Sequence, residues 1–166
     1  MLLCGATALN AAEKHYTLTS PDGRIAVEIQ AGESLTYSVS HDGKTILTES
    51  EIGLVLGDGT QIGKAVRITS KKQKHIDEIV NAVLYRQKSF NTKANELILN
   101  MKGGFSVIFR AYDEGVAYRF ATTRKDETVI VSETAEFNFG QDRLAWLPYS
   151  TNEKNEVAMA FQNIYD

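Results

Sequence analysis

The chain is poor in the residues that most often mark a catalytic or metal-binding site. Its 166 residues include one cysteine, three histidines and one tryptophan. A single cysteine, Cys4, excludes an intramolecular disulfide, and no cysteine or histidine pair has the spacing of a zinc site. The histidines His15, His41 and His75 are far apart in sequence, and no Gly-x-Ser-x-Gly motif accompanies them. We therefore predict neither a histidine-based nucleophile site nor a metal site from these residues.

Long apolar runs and an excess of positive charge are also absent. No run approaches the ~18–20 apolar residues that a membrane-spanning helix needs, so we predict no membrane span. The formal net charge is −3. Because nucleic-acid-binding domains usually carry a basic excess, we expect no nucleic-acid partner. The one basic run, residues 71–75, is typical of a solvated strand end or loop.

The first residues of the chain differ in composition from the rest. Residues 1–12 are uncharged and mostly small or apolar, and Glu13 and Lys14 follow at once. This pattern is typical of the end of a secretory signal peptide, and residues 6–8 fit the small-x-small cleavage rule. We predict that residues 1–12 are a signal-peptide remnant and that the protein is exported. A buried N-terminal strand or helix is the alternative.

The remainder of the chain is a succession of short alternating segments separated by turn signals. Side chains in a strand point to opposite faces in turn, so period-2 alternation predicts strands. Glycine follows Asp22, Asp42 and Asp58, where it accepts the positive φ of a turn. This spacing predicts an all-β fold, a large antiparallel β-sandwich or barrel of about a dozen strands, in one domain over residues 13–166. The predicted strands lie at residues 15–20, 25–30, 35–39, 45–47, 52–56, 66–69, 82–85, 96–101, 105–111, 116–120, 129–131, 135–139 and 144–147.

One segment is ambiguous between helix and strand. Residues 76–85 place Ile76, Ile79, Val80 and Val83 at the 3,4 spacing of a helix face. All four are β-branched, however, and such residues favour strands. Helix and strand pair are therefore equal alternatives here.

The clearest single element is a hairpin at residues 105–120. Its two arms alternate on either side of the turn at Asp113, Glu114 and Gly115. The face predicted to be apolar carries Phe105, Val107, Phe109, Ala111, Val116, Tyr118 and Phe120. Asp113 and Glu114 are explained by the turn, where aspartate forms local hydrogen bonds, rather than by catalysis.

One aromatic segment is a candidate sugar-binding surface. Trp146 lies just before a polar run, residues 150–155. An aromatic ring beside a polar loop can stack on a sugar ring, and Tyr149 is close enough in sequence to contribute. A tryptophan packed in the core at the end of the last strand is the commoner alternative.

Several motifs together resemble one family of carbohydrate enzymes. The hairpin sequence FRAYDEGVAYRF, at residues 109–120, is similar to a signature in the N-terminal domain of glycoside hydrolase family 97. Supporting motifs follow the expected order: LTSPDG at 18–23, YSVSHDGK at 37–44, SEIGL at 50–54 and WLPY at 146–149. The resemblance runs from about residue 16 to the end, and the ordered set is more specific than the hairpin alone.

The resemblance implies a galactose-mutarotase-like super-sandwich that precedes a catalytic (β/α)₈ barrel and a small C-terminal sheet domain. Family members are exported bacterial α-glucosidases or α-galactosidases, inverting or retaining, with calcium at the active site. This implies a periplasmic protein and an α-linked oligosaccharide as substrate. The catalytic carboxylates belong to the barrel and the calcium ligands lie mostly outside this chain, so no catalytic or metal residue is assigned here. Asn152 and Glu153 are candidates for a loop that faces the barrel.

Three interpretations of function follow. The first is a non-catalytic N-terminal sandwich that packs on the barrel and shapes its active site, which the apolar residues 158–166 at the end of the chain favour. The second is a freestanding exported carbohydrate-binding module that presents Trp146 and Tyr149. The third is a structural or adhesive exported sandwich. The residues leave glucoside and galactoside preference open.

Overall fold

The described part of the chain is built from strands alone. The computed structural model describes residues 13–81, 83, 88–142 and 144. No helix occurs among these residues, and hence none that is long and apolar enough to cross a membrane. The all-β prediction is confirmed, with ten strands in the described residues where about a dozen were expected over the whole chain. They are β1 (Lys14–Thr19), β2 (Ile25–Ala31), β3 (Leu35–His41), β4 (Lys44–Leu56), β5 (Gln61–Ile62), β6 (Ile68–Asn81), β7 (Ser89–Met101), β8 (Phe105–Tyr112), β9 (Gly115–Thr122) and β10 (Ile130–Ala135).

The strands form two antiparallel sheets that face each other across one apolar core. The first sheet has the order β1-β2-β3-β4-β10, with the short β5 paired to the end of β4. The second has the order β6-β7-β8-β9. Both sheets contribute fully buried side chains, which include Val27, Ile29, Leu35 and Ile52 from the first and Leu97, Leu99, Val107 and Phe109 from the second. Each sheet buries one face against the other, as a sandwich requires.

The hairpin turns follow the predicted turn signals. Asp42 and Gly43 join β3 to β4 with φ values of 49° and 74°. Two consecutive residues with positive φ match the right-handed twist of the flanking strands, which is why this dipeptide favours a tight hairpin. The predicted turns at Asp22, Asp58 and Asp113 likewise connect β1 to β2, β4 to β5 and β8 to β9.

The β8–β9 hairpin supplies the centre of the core, as its alternation predicts. Phe105, Val107, Phe109 and Ala111 are all buried, and they lie on the face of β8 that meets the first sheet. The rings of Tyr37 on β3, Phe109 and Tyr118 contact one another, with centroids 5.8–5.9 Å apart. Tilted aromatic pairs at this distance are favourable beyond the area they bury. These rings join the two sheets.

One edge of the sandwich is closed by side-chain amides. The carbonyl groups of Thr17 and Thr19 on β1 accept hydrogen bonds from Gln73 (3.3 Å) and Asn95 (2.9 Å) on the second sheet. The ring nitrogen Nδ1 of His75 contacts the Asn95 amide oxygen at 2.8 Å and orients that amide. Edge carbonyls of the first sheet thus find hydrogen-bond partners on the second sheet.

Among the described residues the opposite edge is open, because the first sheet is wider than the second. β9 is the last strand of the second sheet, whereas β4 and β10 continue the first sheet beyond β3. The inward residues of β9, Val116, Tyr118 and Phe120, are only partly buried although they pack against the core. This uncovered region is where the candidate site lies.

Two predicted boundaries differ from the structure. Residues 45–47 and 52–56 belong to one strand, β4, which continues through the polar residues between them with a register shift against β3. There the Ser50 hydroxyl, fully buried, accepts a hydrogen bond from the Asn138 amide (2.9 Å) and donates to the Thr48 carbonyl (2.9 Å). The structure has one strand, β10 (Ile130–Ala135), where two strands were predicted at residues 129–131 and 135–139.

The ambiguous segment at residues 76–85 is a strand as far as residue 81. Its start forms the end of β6, in register with β7. This end of the β6–β7 pair (residues 76–81 and 89–94), here called the hairpin arm, extends past the end of β8. Two predicted strands lie outside the described residues, except for one residue in each. They are residues 82–85, of which Val83 is described, and residues 144–147, of which Leu144 is described.

The basic run lies within an edge strand rather than at a strand end or in a loop. Residues 71–75 are exposed in the middle of β6, the outermost strand of the second sheet. Lysines on an edge strand discourage pairing with another chain, because their charge and solvation oppose edge-to-edge contact. The run therefore has a structural explanation that needs no ligand.

A close approach between β4 and β5 requires glycine. Gly63 has a φ of 100°, and a Cβ there would overlap the carbonyl oxygen of Ile52. Gly53 faces it on β4, where an added Cβ would lie 2.6 Å from the Ile62 carbonyl oxygen. The two backbones are thus in contact without side chains between them.

We predict that Gly63→Ala destabilises the chain more than Gly59→Ala does. Gly59 also has a positive φ, 82°, but no atom lies within 4 Å of an added Cβ. Gly59→Ala is the control, and it should lose only about 1–2 kcal/mol of stability, because a side chain is strained in the left-handed backbone region. Gly63→Ala adds the overlap with the Ile52 carbonyl and should lose a further ~1–3 kcal/mol. Urea unfolding followed by far-UV circular dichroism measures both. Equal losses would show that β4 and β5 do not approach as described.

Candidate functional site

The residues predicted to contact sugar lie outside the described residues. Trp146, Tyr149, Asn152 and Glu153 all follow Leu144, the last residue that the structure describes. Their role as a substrate-binding set stays a prediction. The described residues instead offer two features with distinct chemistry, an apolar groove and a buried ion-pair network.

The groove opens at the end of the sandwich where three hairpin turns meet. We call it the end groove, and its volume is about 670 Å³. It lies between the first sheet and the start of β9, beside the uncovered edge. Its lining is mostly apolar and comprises Ile25, Tyr37, Val39, His41, Ile46, Leu47, Asp113, Glu114, Gly115, Val116, Ala117, Tyr118 and Phe137.

The two tyrosines of the end groove are neutral over the physiological pH range. Burial, with a smaller contribution from neighbouring Tyr118, raises the pKa of Tyr37 to about 12. Burial, and then the nearby negative charge of Glu133, also raises the pKa of Tyr118. The Tyr37 hydroxyl donates to the carbonyl oxygen of Glu136 at 3.2 Å. An uncharged, aromatic floor of this kind suits an apolar or aromatic occupant.

The acidic residues at the rim of the groove hold turns together. The Asp113 carboxylate accepts a hydrogen bond from the backbone amide of Asp22 (2.9 Å), so the β8–β9 turn is tied to the β1–β2 turn. Asp22 in turn accepts from the Ser20 hydroxyl (2.5 Å) and the Arg24 amide (3.0 Å). The Ser20 hydrogen bond is the main reason that the pKa of Asp22 is lowered. These two carboxylates therefore serve the turns. The bond of Asp113 is to another turn, 91 residues away, whereas the sequence predicted a hydrogen bond within its own turn.

The second feature is a buried carboxylate between two cations on the outer face of the second sheet. Glu96 on β7 is 2% exposed, and it bonds Arg110 on β8 at 2.5 Å and Lys74 on β6 at 3.1 Å. Burial alone would raise the pKa of Glu96, but the bonds from Arg110 and then Lys74 outweigh it and lower the pKa. Glu96 is therefore ionised and links three strands.

Sequence reasoning missed this network, although one signal for half of it was present. Met101 pairs with Phe105 across the Gly103-Gly104 turn, and that register places Glu96 opposite Arg110. Counting back from the turn would have found the pair. The third member, Lys74, depends on the register of β6, which no short turn fixes.

The carboxyl groups whose pKa is shifted are shifted away from the value that a glycosidase acid needs. Glycoside hydrolysis needs two carboxyl groups across the bond, and the general acid holds its proton through a raised pKa. Where the pKa of a described carboxyl group is shifted, it is lowered, as in Asp22, Asp42, Glu51, Asp58 and Glu96. Each of these is engaged by a hydrogen-bond donor or a cation that favours its ionised form.

The described residues do not supply a calcium site either. Calcium takes six to eight oxygen ligands, which usually include several carboxylates. Within the described ranges, no group of three or more His, Cys, Asp or Glu side chains could hold a metal ion. The calcium that the family resemblance implies therefore does not fit the described residues.

Comparison with known proteins identifies relatives along almost the whole chain. The family model described as "Glycosyl-hydrolase 97 N-terminal" matches residues 18–165. A retaining alpha-galactosidase of Bacteroides thetaiotaomicron is 34% identical over 171 residues, which cover 99% of this chain and 26% of the relative. A probable retaining alpha-galactosidase of Streptomyces bingchenggensis is 26% identical, over 78% of this chain and 20% of the relative.

Solved structures show the same fold. A Glycoside Hydrolase Family 97 enzyme from Pseudoalteromonas sp. strain K8, in complex with acarbose, matches with a TM-score of 0.70 and 24% identity over 82% of this chain and 22% of its own. A beta-arabinopyranosidase matches with a TM-score of 0.73 and 23% identity, over 82% of this chain and 23% of its own. The chain thus spans about a fifth to a quarter of the length of the proteins it matches.

We predict that Glu96→Gln destabilises the chain by about 1–3 kcal/mol at pH 7, because it removes charge-assisted hydrogen bonds and leaves two cations without their anion. The folded-state pKa of Glu96 lies below the unfolded-state value. Its ionic contribution is therefore complete above about pH 5 and is lost as the pH falls through the folded-state pKa, below the ordinary value of about 4.3.

Urea unfolding of the parent chain and the variant at pH 7, 5 and 3 tests this. The stability difference should be equal at pH 7 and 5 and smaller at pH 3. Glu28→Gln, at an exposed position on β2, is the matched control and should change little. A difference that persists unchanged to pH 3 would contradict the ionised network.

Proposed function

The chain belongs to the glycosyl-hydrolase 97 N-terminal family, and on this premise we propose that it is the non-catalytic N-terminal β-sandwich of an α-glycoside hydrolase. The observation that carries the proposal is a difference in coverage. The family model matches residues 18–165, yet the matched residues are only 26% and 20% of the two relatives. In the longer protein, a following (β/α)₈ barrel supplies the catalytic carboxylates, and this sandwich packs on it and shapes the active-site entrance.

The chemistry of the described residues supports a scaffold role. The carboxylates with shifted pKa values are committed to turns, strand ladders and cation pairs, so none is free to exchange a proton with a substrate. The two-sheet architecture and the TM-scores of 0.70–0.73 support the finer proposal of a galactose-mutarotase-like super-sandwich.

We propose α-galactosides as the substrate class of the longer protein. Both curated relatives are named retaining α-galactosidases, and the first shares 34% identity with nearly the whole chain. An α-glucoside is the alternative, since a family 97 enzyme of the same fold binds acarbose. Calcium at the barrel and export to the periplasm belong to the same proposal; the composition of residues 1–12 supports export.

A freestanding carbohydrate-binding module is the second candidate. One observation favours it, the position of Trp146 and Tyr149 beside a polar run. Isothermal titration of the chain with maltooligosaccharides and α-galactosides separates the two candidates. The absence of measurable heat from a folded sample excludes the module, and micromolar binding would support it.

We predict that the 166-residue chain alone does not hydrolyse p-nitrophenyl α-galactoside or α-glucoside. The protein encoded by a longer reading frame that includes the barrel should hydrolyse the galactoside faster than the glucoside, because both curated relatives are named retaining alpha-galactosidases. Release of p-nitrophenolate measures both. Turnover by the chain alone would overturn the scaffold assignment, and a reading frame that stops after Asp166 would remove the barrel from the proposal.

A further inference from the structure

The two sheets are joined by the chain itself at one end of the sandwich. Within the described residues, the chain crosses from the first sheet to the second at residues 63–67 and returns at residues 123–129. The first crossing is bonded to the β7–β8 turn, where the Lys102 amide donates to the Arg67 carbonyl (3.0 Å). The second is bonded to the β4–β5 turn through the Gly57 amide (2.9 Å). Both crossings therefore lie at the same end, here called the joined end.

Arg124 fixes the joined end further. Its guanidinium lies over the Phe105 ring, 4.6 Å from the ring centroid, at a distance that favours a cation–π contact. The same side chain donates to the Gly103 carbonyl (3.3 Å) and pairs with Asp58 at 3.6 Å. Gly103 belongs to a turn of the second sheet and Asp58 to a turn of the first. Separation of the sheets at this end would break all of these contacts together.

The opposite end of the sandwich has turns but no crossing among the described residues. The β1–β2 and β3–β4 turns of the first sheet lie there with the β8–β9 turn of the second. The two turns of the first sheet are tied together, because the Arg24 guanidinium donates to both carboxylate oxygens of Asp42 (3.1 and 2.7 Å). The Asp22 carboxylate accepts from the Arg24 amide (3.0 Å). These two turns therefore form one unit.

In the part of the chain that the structure describes, one hydrogen bond joins this unit to the turn of the second sheet. The Asp22 backbone amide donates to the Asp113 carboxylate at 2.9 Å, and the bond is exposed to solvent. The amides of Gln73 and Asn95 bond to β1 itself rather than to the turns. Because water competes for an exposed hydrogen bond, its net contribution is small. This end therefore opens at a far smaller cost than the joined end.

The Asp113–Asp22 bond spans the end groove. One wall of the groove is the β8–β9 turn with the start of β9, which includes Asp113, Val116 and Tyr118. The other wall is the first sheet, which contributes Tyr37 and Ile46. Val116 and Tyr118 are only partly buried although they pack on the core. A movement of the β8–β9 turn away from the β1–β2 turn would therefore widen the groove.

We propose that the Asp113–Asp22 hydrogen bond is a latch that sets the width of the end groove. While the bond is made, the β8–β9 turn is held against the first sheet and the groove is narrow. When the bond breaks, the turn moves away from the first sheet while the joined end stays fixed, and more of the apolar lining meets solvent. The two states are in equilibrium, as is usual for a local opening of a folded protein. The proposal does not depend on the activity of the longer protein.

Three single substitutions separate the latch from the charge of its carboxylate. Asp113→Ala removes the acceptor, whereas Asp113→Asn keeps an acceptor oxygen in the same place. Glu114→Ala removes the neighbouring carboxylate of the groove lining, which has no hydrogen bond or ion pair with the described residues. Each variant loses one negative charge, so an effect of charge alone is the same in all three. Both positions are exposed, and far-UV circular dichroism checks that the sheets are intact.

Hydrogen exchange of the Asp22 amide, followed by NMR, is the first measurement. Its exchange should become about tenfold faster in Asp113→Ala, because the amide loses its charged acceptor. It should stay near the parent rate in Asp113→Asn and Glu114→Ala. An unchanged rate in Asp113→Ala would show that the bond is not held in solution and would overturn the proposal.

The fluorescence of anilinonaphthalene sulfonate, a dye that brightens on exposed apolar surface, is the second measurement. It should rise several-fold in Asp113→Ala and stay near the parent value in the other two variants. Equal rises in all three variants would be an effect of charge on an anionic dye, and the latch would be refuted. Faster exchange of the Asp22 amide without a rise in dye fluorescence would make the bond a local contact, and the latch would fail as well.

Discussion

The structure depends on the contact between the apolar faces of two sheets, which can be buried only against each other. Tyr37 on the first sheet meets Phe109 and Tyr118 on the second through ring contacts of 5.8–5.9 Å. These contacts fix the spacing of the sheets, and the strands attached to them supply the remaining core. The amides of Gln73 and Asn95 close one edge. Within the part of the chain that the structure describes, the opposite edge is open, because the first sheet has strands that the second does not oppose.

The same constraint explains how several of the described carboxylates are used. Its turns need aspartate to bond backbone amides, and Asp22 and Asp113 do so. Its sheets need charges on exposed faces to be paired, and Glu96 bonds both Arg110 and Lys74. A carboxylate committed in this way has a lowered pKa and cannot donate a proton near neutral pH. The described carboxylates with lowered pKa values thus serve the fold.

The sequence pattern predicted the local features of this fold and missed the features that depend on residues far apart in the chain. The buried face of β8 and the turn at Asp42 and Gly43 follow from period-2 alternation and positive φ, which each depend on a few neighbours. The continuity of β4 was missed because Ser50 reads as polar. Its hydroxyl is satisfied by Asn138, 88 residues away. The end groove was missed for a related reason, since it exists only because two sheets of unequal width face each other.

The central claim is that the ring contacts of Tyr37, Phe109 and Tyr118 hold the two sheets together. Urea unfolding of Phe109→Ala tests it most directly, with Phe137→Ala, which removes a ring that is 57% exposed, as the control. The account predicts that Phe109→Ala lowers the free energy of unfolding by about 3–5 kcal/mol and that the control lowers it much less. Equal and small losses in the two variants would contradict the account.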